Sequence, residues 1–235
     1  MISVTLAGLQ ALSDDLYLLQ LKPEQSMPVF QAGQYLSLQV GDLPASYFSI
    51  ASAPSADLIE LHVQAGLVSQ SAQELLQALQ QQQPAKVSLP AGDCHYQRLE
   101  DAKQLILICS GTGFSQMQSV VQHWLELQDA RPLSLYWSAR HADGLYRLPL
   151  VDQWQRQAQH FRYSALINPR LQWNGMQGAL DAIILAENPD LCQAGVMVCG
   201  SAPMVWHTHD VLAAAGLPAG RIFSDVFAFQ PRGNC

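Results

Sequence analysis

Hydrophobic and polar positions change their rhythm once along this chain, near residue 102. Before that point the apolar runs are short. Residues 2–9, 16–21, 35–40, 47–52 and 58–64 read as strands, separated by Asp14-Asp15, Pro23, Gly33, Gly41-Asp42, Pro44 and Pro54. Alternation is clean in Leu58–Gln64: Ile59, Leu61 and Val63 share one face, and Glu60, His62 and Gln64 the other. A helix is predicted over about 70–82 with Leu75, Leu76 and Leu79 as its apolar stripe, stopped by Pro84. Lys86-Val87-Ser88-Leu89 then closes the module. Strands of this length and spacing predict a small antiparallel barrel or sandwich.

After residue 102 strands and helices alternate. Strands at 105–109, 133–137, 161–167 and 195–199 are interleaved with helical patterns at 114–127, 147–158, 178–186 and 202–215, and a last strand is read at 222–229. Repeated βαβ units predict a parallel sheet covered by helices. In the last strand the alternation would place Phe223, Asp225, Phe227 and Phe229 on one face.

Ligands of such sheets lie beyond the carboxyl ends of the strands. Three turns rich in small residues fall there: Gly111-Thr112-Gly113, Ser138 to Arg140, and Cys199-Gly200-Ser201-Ala202-Pro203-Met204. The first follows the five-residue apolar run Leu105–Cys109 and opens a helix, so its free N–H groups form an anion site that glycine leaves open to a phosphate. Gln116 stands where the dinucleotide motif wants a third glycine, so an ordinary Rossmann turn is not expected. A nucleotide site at this edge is the favoured reading.

Composition removes other classes. The chain has 235 residues, 49% of them hydrophobic and 13% charged, which predicts a folded globular protein of one large or two smaller domains. A net charge of -7 without a basic patch argues against nucleic acid or an anionic membrane as partner. No signal-peptide pattern opens the chain and no apolar run approaches a membrane span, so a cytoplasmic protein is expected. Five cysteines (Cys94, Cys109, Cys192, Cys199, Cys235) form no CxxC pair, and His207-Thr208-His209 reads as a solvated helix face, so no metal site is expected.

One strand is unusual. Ser46-Tyr47-Phe48-Ser49-Ile50-Ala51-Ser52 carries three serines beside two aromatics. Together with Gly111-Thr112-Gly113-Phe114-Ser115, Tyr136-Trp137, Cys199-Gly200 and the Asp225-Val226-Phe227-Ala228-Phe229 tail, in that order, it resembles the ferredoxin–NADP reductase superfamily, most closely the small bacterial NAD(P)H:flavin oxidoreductases. The resemblance implies an antiparallel β-barrel flavin-binding domain over residues 1–101. It implies an α/β nicotinamide-nucleotide-binding domain over 102–235, whose C-terminal strand returns to the flavin site. It implies hydride transfer from NADH or NADPH to flavin N5 (riboflavin, FMN or FAD), with release of reduced flavin.

Carried onto this sequence, Ser49 would meet flavin N5, and Cys199 would lie against the nicotinamide. Ser46, Tyr47, Phe48, Ile50, Ala51, His62, Val63 and Gln64 would surround the flavin. Gly111, Thr112, Gly113, Phe114, Arg140, Gly200, Pro203 and Met204 would surround the nucleotide, with Asp225, Phe227 and Phe229 closing the site. The family's flavin strand usually begins with an arginine that grips the flavin phosphate; Ser46 occupies that position, which predicts weak retention of the flavin. Ser110 replaces a common glycine. Arg140 with His141 leaves NADH and NADPH both open. Two alternatives remain: a flavoprotein that keeps FAD or FMN and feeds a separate partner such as an oxygenase, and a non-catalytic nucleotide-binding module.

Overall fold

The computed structural model describes residues 1–66, 69–167, 176–177 and 179–232. Cys235 and residue 178, the expected first residue of the 178–186 helix, lie outside them. Two sheets are built one after the other, in the order the change of rhythm requires.

The first is antiparallel. Its strands are β1 (Ile2–Ala11), β2 (Leu16–Pro23), β3 (Tyr35–Val40), β4 (Ser46–Ser49), β5 (Ile59–Gln64) and β6 (Ala85–Ala91), arranged β4-β3-β6-β1-β2-β5. The inward positions Leu19, Leu21, Leu36, Leu38, Ile59, Leu61, Val63 and Val87 are fully buried. Helix α1 (Gln70–Gln80) packs Leu75 and Leu79 on the same core. The end strands β4 and β5 meet at a seam just past β4. There the Ala51 N–H donates to the Glu60 carbonyl (2.7 Å) and the Glu60 N–H donates to Ser52 Oγ (3.1 Å). This is the barrel the turn spacing predicted.

A turn at Tyr96–Leu99 leads out of the barrel. Arg131 pins this passage: its guanidinium grips the Asp129 carboxylate and donates to the carbonyls of Leu99, Glu100 and Ala102 and to the Tyr96 hydroxyl.

The second sheet is parallel, in the order β10-β9-β8-β7-β11-β12. Its strands are β7 (Gln104–Ser110), β8 (Leu133–Ala139), β9 (Phe161–Ile167), the two-residue β10 (Met176–Gln177), β11 (Ala194–Cys199) and β12 (Ile222–Phe223). Helices α2 (Phe114–Glu126), α3 (Leu148–Gln157), α4 (Leu180–Glu187) and α5 (Ala202–Ala214) connect them. The apolar run of β7 serves both faces: Leu105, Leu107 and Cys109 pack with α2 and α3, while Ile106 and Ile108 pack with α4 and α5. Helix α2 buries Phe114, Met117, Val120, Val121 and Trp124 along one face, within the helical pattern expected at 114–127.

The tail differs from the expected 222–229 strand. Only Ile222 and Phe223 pair, with Val196 and Met197 of β11. β11 ends at Cys199, two residues past the Met197–Phe223 pair, and the chain after β12 leaves the ladder and satisfies its backbone locally. Val226–Phe229 forms a helical turn, α6, with Gln230 N–H donating to the Val226 carbonyl (2.8 Å). The four residues expected on one face consequently diverge. Among the described residues, no helix is long and apolar enough to cross a membrane, and Cys94, Cys109, Cys192 and Cys199 are free thiols.

Candidate active site

Parallel register brings the small-residue turns together. At the carboxyl edge Cys109 lies beside Cys199 of β11 and Ser110 beside Ser138 of β8. Gly111–Gly113 then forms one tight turn before α2. Gly111 has a φ of +52°, and a Cβ there would meet nothing within 4 Å, so bare backbone faces open space. Gly113 is required for another reason: a Cβ there would stand 2.5 Å from the Cys199 carbonyl oxygen. Trp137 Nε1 donates to the Gly111 carbonyl (3.0 Å) and fixes the turn from below.

Gln116 explains the missing third glycine. It is buried, and its Nε2 lies between the Gly33 carbonyl (2.6 Å), the Cys94 carbonyl (3.2 Å) and Asp225 Oδ2 (2.9 Å). Along the same face of α2, Gln118 Nε2 donates to the Ala51 carbonyl (3.2 Å) and to Glu60 Oε1 (2.7 Å), and Ser119 Oγ to the Ser52 carbonyl (2.7 Å). One face of α2 is apolar and packs on its own sheet; the other carries amides and hydroxyls that bind the backbone of the barrel seam.

Between the end of β4 and the Gly111–Gly113 turn lies a cleft of about 310 Å³. On the barrel side Tyr47, Phe48, Ser49 and His62 line it; on the parallel-sheet side Thr112, Gly113, Cys199 and Gly200 do, together with Ser110, Ser115 and Ser201. Ser115 spends its hydroxyl on the Thr112 carbonyl (2.9 Å), while those of Ser49, Ser110, Thr112 and Ser201 have no hydrogen-bond partner among the described residues. Among the described residues, no lining side chain is cationic.

Other residues singled out from the sequence stand apart from the cleft lining. Ser46 begins β4, opposite Leu38. Ile50 and Ala51 are fully buried, and their N–H groups are taken by the carbonyls of Gln34 and Glu60. Val63 is in the barrel core, and exposed Gln64 donates to Asp15 (3.2 Å). Phe114 is buried and stacks on Trp137 at 4.0 Å between ring centres. Arg140 is exposed beyond β8. Pro203 and Met204 belong to the first turn of α5, with Met204 against the α4–α5 core. Asp225 is held by Gln116; Phe227 packs on Trp206 (4.7 Å), away from the cleft; Phe229 is 63% exposed with its ring 5.6 Å from Tyr35.

The electrostatics follow from burial. Burial and the nearby Asp225 charge raise the Cys199 thiol to about 12, so it is protonated at neutral pH. Burial likewise raises the Asp225 carboxyl to about 6, against the pull of hydrogen bonds from Gln116 and the Cys94 and Asp93 backbone. Glu60 goes the other way: burial raises it, but hydrogen bonds from His62 and Gln118 and the Arg147 charge outweigh this and leave it below the usual carboxylate range. Burial lowers His62 and keeps its ring neutral.

His62 lines the cleft with its ring nitrogens already engaged. The alternation of β5 is as read, but its polar face looks into the packed junction between barrel and α2. His62 Nε2 meets Glu60 Oε1 (3.3 Å) and His62 Nδ1 meets the Tyr146 hydroxyl (2.9 Å), so both ring nitrogens are occupied by protein. Tyr146, Arg147 and Gln118 carried no sequence motif. The one available sign was the run of polar residues on the supposedly solvent-facing side of α2.

A larger hollow of about 770 Å³ borders β1, β2 and α1 and is lined by Asp14, Asp15, Asp143 and several glutamines. It holds none of the candidate site residues read from the sequence.

Residues 107–210 match the family model of the oxidoreductase NAD-binding domain. The chain is 30% identical over 234 residues to the NAD(P)H-flavin reductase of Vibrio harveyi, covering 94% of this chain and 96% of that one. It is also 30% identical over 227 residues to the reductase component 1 of terephthalate 1,2-dioxygenase from Comamonas sp, of which it spans only 66%. Among solved structures, a cytochrome P450 reductase from Amycolatopsis superposes with a TM-score of 0.81 at 22% identity, over 95% of this chain and 68% of that one. A ferredoxin NADP+ reductase from Neisseria gonorrhoeae, solved with FAD and NADP, superposes with a TM-score of 0.76 at 18% identity, over 94% and 96%.

Proposed function

From the premise that this chain belongs to the ferredoxin–NADP reductase superfamily, among its NAD(P)H:flavin reductases, we propose that it transfers a hydride from NADH or NADPH to a flavin bound as a second substrate. The observation that carries this reading is the cleft itself. The flavin-side wall, Phe48, Ser49 and His62, faces the nucleotide-side wall, Thr112, Gly113 and Cys199, with free hydroxyls on both. We divide the chain accordingly into a flavin-binding barrel, 1–101, and a nicotinamide-binding unit, 102–235.

The residues fit two flat heterocycles. Gly111 presents bare backbone to open space, as close approach of a phosphate chain requires. The nicotinamide supplies the hydride and the flavin accepts it at N5; orientation and electrostatics are left to the protein. Ser49 would hold the hydrogen bond at N5. Thr112 and Gly113 would receive the nicotinamide end, and Cys199, protonated, would offer a neutral wall beside it. Interdomain bonding by α2 would keep the two walls at reacting distance.

Loose flavin binding follows from Ser46 and from the absence of a cation in the cleft lining. The likeness to a dioxygenase reductase component supports a second reading, in which the flavin stays bound and a separate protein takes the electrons. Free thiols at all four described cysteines fit a reducing, cytoplasmic setting.

The purified protein after gel filtration decides between the two. A colourless protein that oxidises NADH or NADPH only when riboflavin, FMN or FAD is added carries the first reading; a yellow one carries the second. No oxidation with any flavin refutes both. Ser46→Arg is expected to tighten FMN more than riboflavin, and an equal change in both would remove the phosphate argument.

A further inference from the structure

Tyr146 belongs to no motif, yet three aromatic rings converge on it, one of them the cleft-lining His62. Its ring stands nearly perpendicular to those of His62 (5.3 Å between ring centres, 86°), Phe114 (5.9 Å, 87°) and Trp137 (5.2 Å, 88°). Those three rings form one column: Phe114 stacks on Trp137 at 4.0 Å and lies nearly parallel to His62 at 6.3 Å. The column starts on barrel strand β5, passes the first residue of α2 and ends on β8, where Trp137 holds the Gly111 carbonyl. Tyr146 thus touches the flavin-side wall and the support of the nucleotide-side turn at once.

Its hydroxyl adds direction. Glu60 is a carboxylate that already accepts from Gln118 and from Arg147 Nη2 (2.9 Å), so His62 Nε2 must donate to it. A neutral His62 then has only an acceptor at Nδ1. Burial keeps the Tyr146 phenol protonated, and its O–H donates there. The ring is locked in one tautomer and one orientation by partners on both sides of the cleft.

We propose that Tyr146 is a positioning residue that acts through His62, holding the flavin-side wall in fixed register with the Gly111–Gly113 turn. This rests on the flavin reductase reading for its kinetic consequence, though not for the locked ring. Tyr146→Phe keeps every ring contact and removes one hydroxyl. Freed at Nδ1, His62 turns, and the two walls lose their register, for which an error of 1 Å costs up to about a hundredfold in rate.

The test is Tyr146→Phe in the whole chain, read two ways. Flavin reduction at saturating nicotinamide is expected to fall about tenfold or more, with the KM for NADH or NADPH changing much less. Long-range ¹H–¹⁵N spectra are expected to show His62 of the unaltered protein as the neutral Nε2–H form, and a mixture of tautomers in the variant. An unchanged rate overturns the proposal, and so does a slowed variant whose His62 signals do not move. Should the variant fail to fold, the unaltered protein still decides: His62 protonated at Nδ1 overturns the lock. If the unaltered protein reduces no flavin, the function reading falls separately, and the spectra alone judge the lock.

Discussion

Asp225→Asn gives the sharpest thermodynamic test of the junction. Asp225 is a carboxyl held largely out of water, raised from its ordinary 3.8 to about 6. A raised carboxyl stabilises the fold below its unfolded pKa, where both states are protonated, and that stability is lost as pH rises through the folded pKa. Between pH 4 and 7 the loss from this group alone comes to about 2 kcal/mol, because a tenfold change in an ionisation constant is worth about 1.4 kcal/mol. Glu60 and Asp129 have lowered carboxyls, so their stability is present at neutral pH and lost as pH falls. They mask Asp225 in a single pH curve, but they are common to both proteins and cancel in the difference. Asparagine keeps an oxygen for the Gln116 amide and cannot ionise. Urea unfolding at pH 4 and pH 7 is therefore expected to show Asp225→Asn gaining about 2 kcal/mol relative to the parent between the two conditions, whatever constant offset the substitution introduces. Equal pH dependence in the two proteins would refute the claim that Asp225 carries its charge at a cost.

Other expectations concern the turn, the passage between sheets and the chemistry. Gly113→Ala drives a Cβ against the Cys199 carbonyl and is expected to cost about 1–3 kcal/mol and to raise the KM for NADH or NADPH; wild-type values in urea unfolding and kinetics would refute it. Gly111→Ala meets open space, so its cost is the left-handed backbone alone, about 1 kcal/mol, and thermal unfolding of the pair should rank them in that order. Ser49→Ala is expected to slow single-turnover hydride transfer roughly tenfold or more with normal folding, and an unchanged rate would remove Ser49 from the reaction. Arg131→Lys breaks the fork that binds Asp129 and three linker carbonyls, and should lower stability by about 2 kcal/mol while leaving the cleft residues in place. An unchanged unfolding midpoint would show that the knot does not hold the passage.

Both sheets were legible because their patterns are set by burial within one unit. The two-residue period of 59–64 and the helical period of 114–125 each report a core made by nearby chain. What the sequence hid depends on the other unit. His62 and Glu60 read only as the polar face of a strand, since nothing in residues 58–64 shows that α2 will cover them. Gln116 read as a flaw in a glycine motif, while its amide is the link between Gly33, Cys94 and Asp225. In the tail, Ile222–Phe229 alternates as a strand should, but strand formation needs a neighbour, and β11 ends at Cys199, two residues past the Met197–Phe223 pair. Among candidate site residues, the small ones at strand ends were legible because the parallel register fixes where strands end. Tyr146 was missed because edge-on ring contacts leave no spacing to detect.

The seam between β4 and β5 bears on how this protein would behave if divided. Carbonyls of Ala51 and Ser52 are covered by Gln118 and Ser119, side chains from the far half of the sequence. A fragment ending near residue 101 would leave those two carbonyls without their side-chain partners. The helix that builds the cleft thus also completes the backbone hydrogen bonding of the barrel, which ties the integrity of the first half to the presence of the second.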